Sequence, residues 1–123
     1  MFTVNPRSTT PLYEQLEQNI ISMIASGILA ADDQLPSVRS LARDLGLNPN
    51  TVQKAYSHLE DKGIIYQATG RGSFVAGVEA AMDRIAKETL DALRECFIDA
   101  KRAGVSLEQV IQTAKSVFEE GKV

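Results

Sequence analysis

Two short runs of hydrophobic residues at helical spacing lie between Leu35 and Leu59, and a glycine separates them. Ser37 stands before the first run, where its hydroxyl can cap the free N–H groups of a first helical turn. Gly46 follows that run and suits the left-handed conformation that commonly ends a helix. Asn48 and Pro49 then have the residue types of an N-cap and of a first helical position. The pattern predicts two helices joined by a tight turn.

The spacing of three residues indicates how the two helices meet. Ala42 is small, Gly46 comes four residues later, and Val52 is apolar six residues beyond. Two helices that cross steeply at close range need a small residue, a corner and an apolar contact at such positions, as in a helix-turn-helix. An ordinary helical hairpin would satisfy the same three residues, so this triad leaves both alternatives open. The expected inward residues are Val38, Leu41, Ala42, Leu45, Val52, Tyr56 and Leu59.

A predicted β-hairpin follows the second helix. Residues 64–66 are β-branched or aromatic, residues 69–72 have a turn composition, and residues 73–75 again favour a strand. A helix-turn-helix with a hairpin directly after it is a winged helix, and Arg71 at the tip is placed to enter a minor groove. The hairpin therefore favours a helix-turn-helix over an ordinary helical hairpin.

These motifs together resemble a known family. The chain carries, in order, PLYEQ at 11–15, LPSVRSLARDLGLNPNTVQKAYSHLEDKG at 35–63 and GRGSFV at 70–75. This order resembles the GntR family of bacterial transcription regulators, and PLYEQ and NPNTV are most similar to its short YtrA-type subfamily. The resemblance covers roughly residues 5–76. It implies a DNA-binding transcription regulator with a winged helix-turn-helix over residues 1–77 and a double-stranded DNA operator as its partner.

The DNA contacts that geometry predicts begin with the outward face of the second helix. Because its apolar residues point inward, four polar residues share the opposite face: Asn50, Gln53, Lys54 and Ser57. Amide side chains can pair bidentately with adenine, and Lys54 can reach guanine or phosphate. The N–H groups around Ser37 and Asn48, together with Arg39 and Thr51, are placed to hold phosphates.

The resemblance adds family contacts and one departure from them. It carries DNA contacts onto Arg39, Asn50, Thr51, Gln53 and the hairpin tip from Gly70 to Gly72. Many relatives have Arg where this chain has Pro49, so the base contact of that Arg is absent, and Asn48 or Asn50 is the candidate to replace it. The full predicted DNA-binding set is Ser37, Arg39, Asn48, Asn50, Thr51, Gln53, Lys54, Gly70, Arg71 and Gly72.

Upstream of this unit the pattern predicts a bracing helix. Residues 2–4 are expected to form a short strand, and Thr10 is expected to cap a helix whose first residue is Pro11. Tyr13 and Glu14 are interpreted as part of its solvated face. Its inward stripe is Leu12, Leu16, Ile20, Met23 and Ile24.

No metal or catalytic site is expected. Asp32 and Asp33 are adjacent carboxylates without a His or Cys cluster, so a surface loop is the favoured interpretation. His58 is the only histidine and is interpreted as structural or solvent-exposed. No cofactor is predicted.

Residues 78–123 are expected to form a helical dimerisation region. Apolar residues every three or four positions predict one long helix over 78–103. Ser106 and Gln109 form a capping-box pattern, and a second apolar stripe runs to Gly121. Two such helices cannot enclose a core alone, which favours a homodimer; the alternative is that both pack back on the winged helix. The candidate dimer residues are Met82, Ile85, Leu90, Leu93, Phe97, Val110, Ile111, Val117 and Phe118.

The net charge of −3 is unusual for a protein that binds nucleic acid. Five basic and three acidic residues lie between positions 35 and 75, whereas seven basic and nine acidic ones lie between 78 and 123. DNA contact is therefore expected to depend on individually positioned side chains more than on a broad positive field.

The single cysteine, Cys96, excludes an internal disulfide and suits a reducing cytoplasm. No apolar stretch is long enough for a membrane span.

The predicted fold is mainly α with a small β-hairpin: an N-terminal winged helix-turn-helix followed by a two-helix C-terminal dimerisation tail. The predicted function is a homodimeric, sequence-specific regulator of a palindromic operator, and a repressor because occupancy alone blocks a promoter. One alternative is a winged helix that contacts proteins within a larger assembly. Some relatives join this module to an aminotransferase-like domain, but no such domain follows here, so no enzyme activity is expected. The sequence identifies no small-molecule effector and leaves open whether one binds.

Overall fold

The computed structural model describes residues 2–77 and 79–120. In these residues the elements follow the order α1 (Leu12–Ala25), α2 (Val38–Leu45), α3 (Pro49–Asp61), β1 (Ile65–Ala68), β2 (Gly72–Val75), α4 (Glu79–Arg102) and α5 (Leu107–Glu119). The chain forms two compact units that divide between Asp83 and Arg84, inside α4. The predicted fold class, mainly helical with one small hairpin, is confirmed.

The two central helices begin and end where the local signals place them. Ser37 Oγ accepts a hydrogen bond of 3.0 Å from the Ser40 N–H and caps α2. Gly46 follows with φ 67°, the left-handed conformation that glycine adopts without a Cβ clash. Asn48 Oδ1 accepts from the Asn50 N–H at 2.8 Å and caps α3, in which Pro49 is the first residue. The predicted tight turn is therefore correct.

The core of the first unit lies where α1 and α2 pack against α3. Tyr56 of α3 is 1% exposed, and its hydroxyl donates a hydrogen bond of 2.7 Å to the Pro36 carbonyl. Burial raises the pKa of the Tyr56 hydroxyl far above its ordinary value. The buried apolar residues are Leu16, Ile20, Met23, Ile24, Leu35, Leu41, Ala42, Val52, Ala55, Tyr56, Leu59, Ile64, Ile65 and Val75.

The segment before α1 differs from the prediction. Residues 2–4 form no strand. A side-chain amide of α1 binds this segment instead, since the Thr3 N–H donates to Asn19 Oδ1 at 3.1 Å. The predicted cap by Thr10 is also wrong, since Pro11 is the N-cap, α1 begins at Leu12, and no side chain caps the helix. Gln15 Nε2 instead donates to the carbonyl of Thr10 at 2.7 Å.

The hairpin forms the predicted wing, and the loop before α2 adds a third segment to it. β1 and β2 are antiparallel, with Ile65 opposite Val75. The loop before α2 pairs with the outer edge of β2: the Asp32 N–H donates to the Val75 carbonyl at 2.7 Å, and the Leu35 N–H donates to the Ser73 carbonyl at 2.8 Å. A segment interpreted as a surface loop therefore covers the edge of the sheet and ties α2 to the wing.

The second unit contains most of α4 and all of α5. Ser106 and Gln109 form the predicted capping box at the start of α5. The predicted limits at residues 78 and 121 lie outside the described residues, within which α4 starts at Glu79 and α5 ends at Glu119. None of the helices in the described ranges has the length and apolar character that crossing a membrane requires.

Candidate nucleic-acid interface

The polar residues predicted on one side of α3 do share an outward face, which we call the reading face: Asn50, Gln53, Lys54 and Ser57. Asn50, Gln53 and Lys54 are exposed, and Ser57 is half-buried. Gln53 Nε2 donates a hydrogen bond of 3.1 Å to Ser57 Oγ, which orients the amide one turn along the helix. This face presents two amides and an ammonium to solvent, which are groups that can recognise base edges or phosphates.

The start of α3 uses its backbone donors internally. The Asn50 N–H is bound by the cap, the Thr51 N–H donates to the Asn48 carbonyl at 2.9 Å, and Pro49 has no N–H. Side chains are therefore the groups at this end that could contact a phosphate, and of these Thr51 is half-buried and Asn50 exposed. Ser37 and Arg39 at the start of α2 are also exposed.

The wing tip is held by a contact that the sequence analysis missed. The Arg71 N–H donates to the Ala68 carbonyl at 2.8 Å, and the Arg71 side chain is exposed. Gln34 Nε2 donates to the Arg71 carbonyl at 2.9 Å. Gly72 has φ 119°, and a Cβ at this position would lie 2.9 Å from Gln34 Nε2. Glycine is therefore favoured at position 72 by its conformation, and a Cβ there would also displace the end of the Gln34 side chain.

The base of the wing is fixed by an aromatic stack and a carboxylate. The rings of Tyr66 and Phe74 stack with centroids 5.6 Å apart. The Tyr66 hydroxyl donates to Asp32 Oδ1 at 2.8 Å, and this hydrogen bond raises the pKa of Tyr66. Asp32 lies in the loop as predicted, where it has φ 68° and orients a wing residue.

A second missed group joins α1 to α3. Glu17 is 4% exposed, and its carboxylate contacts His58 Nδ1 at 3.1 Å and Lys62 Nζ at 3.2 Å. The Tyr13 ring meets the His58 ring edge to face at 5.3 Å, and Lys54 Nζ lies 4.0 Å from the Tyr13 centroid. The interpretation of Tyr13 as solvated is wrong, because its ring is half-buried between two residues of α3. The structural interpretation of His58 is confirmed.

The place of Glu17 in the helical pattern is the one sequence feature that could have predicted its contacts with His58 and Lys62. Glu17 directly follows Leu16 and comes three residues before Ile20, both of which the helical stripe places inward. A carboxylate near that stripe needs a partner, and the cationic candidates include His58 and Lys62 near the end of α3.

In the described part of the chain, no cluster of His, Cys, Asp and Glu could hold a metal ion.

The predicted dimer residues lie on α4 and α5. Met82 and Ile85 are half-buried, as is Val110 on α5. The others are exposed: Leu90, Leu93, Phe97, Ile111, Val117 and Phe118. In the second unit, α4 and α5 border an apolar groove of about 380 Å³. Its lining includes Leu93, Phe97, Ala100, Val110 and Val117.

Comparison with known proteins identifies the family. Residues 12–75 match the model described as bacterial regulatory proteins, gntR family. The HTH-type transcriptional repressor YtrA of Bacillus subtilis (strain 168) is 40% identical over 128 residues, which cover 99% of this chain and 95% of that protein.

Two solved structures extend the comparison. A transcriptional antiterminator from Listeria monocytogenes EGD-e has a TM-score of 0.81 and 34% identity, covering 98% of this chain and 91% of that one. AraR(DBD) in complex with operator ORX1 has a TM-score of 0.54 and 32% identity, covering 59% of this chain and 90% of that one. The family match and the full-length similarity to YtrA confirm the resemblance seen in the motifs. The chain belongs to the GntR family of bacterial regulatory proteins and is a DNA-binding transcriptional regulator rather than an enzyme.

Proposed function

We propose that the chain is a homodimeric repressor that binds an inverted-repeat operator, with α3 in the major groove and the wing tip at the adjacent minor groove. The observation that carries this proposal is the reading face, whose amides are exposed on the second helix of a helix-turn-helix. The similar AraR(DBD) is bound to an operator, and the similar YtrA of Bacillus subtilis is named a repressor, which support DNA binding and repression here.

We assign recognition of the DNA bases to two side-chain amides. Asn50 and Gln53 are the exposed side chains of the reading face whose donor and acceptor pair can match adenine N6 and N7. Many relatives, by the resemblance described above, carry Arg where this chain has Pro49, so the base contact of that Arg is absent here. We therefore expect operator half-sites whose central contacts are adenines, read by Asn50 or Gln53.

We assign much of the affinity for DNA to two cationic side chains. Arg39 and Arg71 are exposed, at the start of α2 and at the wing tip. Each is placed to neutralise a phosphate or to enter the minor groove, which adds sequence-independent affinity that salt weakens. Because the whole chain carries a net charge of −3, loss of one of these cations should be easy to detect.

A second copy of the chain is the proposed partner of the exposed apolar side chains on α4 and α5. Leu90 is 64% exposed and Phe118 83%, and several other large apolar side chains of α4 and α5 are exposed as well. Apolar surface of this extent is typical of a protein–protein interface. Full burial of such a side chain is worth about 1.5–3 kcal/mol, so a dimer that covers several of them gains far more than a monomer. Dimerisation also joins two reading faces for the two halves of an inverted repeat.

We place the DNA binding of this chain in the cytoplasm, where bacterial DNA lies.

The test is selection of bound fragments from random duplex DNA by the full chain, followed by titration of the enriched fragments at several salt concentrations. Enrichment of one motif, with affinity well above that for unselected DNA, supports the proposal. Failure to retain any DNA at low salt would contradict it and favour the protein-contact alternative.

A further inference from the structure

A buried carboxylate fixes how α1 meets α3. Glu17 is 4% exposed, with His58 Nδ1 at 3.1 Å and Lys62 Nζ at 3.2 Å from its two oxygens. A carboxylate is costly to bury unless it is paired, so these two contacts select one register of the helices and one orientation of the His58 ring.

Tyr13 rests on that ring. It lies one turn before Glu17 on α1, and its ring plane is 87° from that of His58, with centroids 5.3 Å apart. This edge-to-face contact is a favoured geometry for aromatic rings. The face of the Tyr13 ring is thereby set by Glu17, through His58.

The same ring holds a cation of the reading face. Lys54 lies one turn before His58 on α3, and its Nζ is 4.0 Å from the Tyr13 centroid. An ammonium over a tyrosine face is attracted by the ring quadrupole. The side chain of Lys54, which has four rotatable bonds, is therefore directed towards α1.

We propose that Tyr13 is a positioning residue for DNA binding, which holds Lys54 at the α1 edge of the reading face as a fixed cation for a backbone phosphate. The proposal rests on α3 lying in the major groove, as proposed above. Groups at the edge of a recognition helix face the groove wall, where phosphates lie, whereas base edges face its centre. Lys54 is thus assigned to affinity, and base discrimination is left to Asn50 and Gln53.

The test is a double-mutant cycle in the full chain with Tyr13→Leu, Lys54→Gln and the combined variant, using the fragment enriched by selection. Tyr13→Leu should weaken binding about 2–5-fold, the range that corresponds to an exposed cation–π contact of about 0.5–1 kcal/mol. It should have no effect once Lys54 is Gln. Tyr13→Phe keeps the ring and should bind as the parent does. Lys54→Gln should lower the slope of log affinity against log salt by about one and leave mismatch discrimination unchanged.

A DNA-free measurement separates this proposal from the proposed function. The ring current of Tyr13 should shift the Lys54 ε-methylene proton resonances upfield relative to those of the other lysines, and the shift should vanish in Tyr13→Leu and persist in Tyr13→Phe. Equal losses of affinity from Tyr13→Leu with and without Lys54 would reduce Tyr13 to a structural brace and overturn the proposal. Tighter binding by Tyr13→Leu, or no upfield shift in the parent, would overturn it as well. If the parent shows the shift but binds no DNA, the contact stands, and both the proposed function and this role for the contact fail.

Discussion

Gln34 Nε2 donates a hydrogen bond of 2.9 Å to the carbonyl of Arg71, a residue 37 positions later in the chain. The donor lies in the loop before α2, and the acceptor lies at the tip of the wing. The same loop pairs with β2 through the Leu35 N–H and the Ser73 carbonyl. The helix-turn-helix and the wing are therefore joined by main-chain and side-chain contacts, so that the exposed Arg71 is presented from a fixed backbone.

Gly72→Ala should disturb the wing tip without unfolding the chain. The added Cβ would lie 2.9 Å from Gln34 Nε2, and φ 119° is strained for any residue with a Cβ. We expect a loss of about 1–3 kcal/mol in the free energy of unfolding by urea and weaker DNA binding. Thr69→Ala in the same turn is the control and should change neither by more than about 0.5 kcal/mol. Parent-like stability and affinity in Gly72→Ala would contradict the strain that φ 119° and the Gln34 contact predict at this position.

Gln53→Ala should reduce base discrimination while leaving the charge unchanged. Gln53 is exposed on the reading face, so its loss should cost about 1–3 kcal/mol of discrimination at one or two base pairs. The slope of log affinity against log salt should stay that of the parent. Titration against matched and mismatched fragments at several salt concentrations measures both quantities.

Arg71→Ala is the contrasting variant in that experiment. It removes an exposed cation, so all sequences should weaken more evenly and the salt slope should fall by about one. If Gln53→Ala binds every sequence as the parent does, Gln53 is not a base reader, and the assignment of discrimination to the reading face would rest on Asn50.

Glu17→Gln should destabilise the first unit. The amide removes the negative charge that the buried carboxylate places beside His58 and the Lys62 ammonium. Because these two side chains are 40% and 49% exposed, water can solvate them once the pair is broken, and we expect a loss of only about 1–2 kcal/mol. Urea unfolding measures it, with the exposed Glu14→Gln on the same helix as the control. Equal stability of the two variants would mean that the buried carboxylate adds nothing.

Phe97→Asp should convert a dimer into a monomer. Phe97 is 43% exposed in the single chain and lines the groove between α4 and α5, so a charge there would be buried at the proposed interface. Sedimentation at micromolar concentration should give a dimer for the parent and a monomer for Phe97→Asp. Gln112→Asp adds the same charge at an exposed position of α5 outside the lining of that groove and should remain a dimer. A monomeric parent would favour the alternative in which both helices pack back on the winged helix.

The elements and caps of α2 and α3 were predictable because their signals are local. Ser37 and Asn48 each bond an N–H two or three residues ahead, and Gly46 takes the left-handed conformation at the corner between the helices. The same local reasoning failed at Thr10, where the side chain of Gln15, five residues later, binds the carbonyl and Pro11 becomes the cap.

The contacts that support the candidate site were not predictable, because each joins residues that are distant in the chain. Gln34 and Arg71 are 37 positions apart, and Glu17 and His58 are 41 apart. Helical periodicity indicates that a residue faces inward but does not say which distant side chain it meets. Periodicity therefore places Tyr13 on the solvated face of α1, because no repeat in the sequence relates it to its partners on α3.

The most direct test of the proposed function is selection of DNA sites by the full chain, combined with the number of chains bound per site by sedimentation. We predict an inverted repeat that binds two chains, with half-sites about one helical turn, near 34 Å, apart, because a two-fold dimer presents two α3 helices to one face of the duplex. A selected site without a dyad, or one chain bound per site, would contradict the homodimeric operator complex.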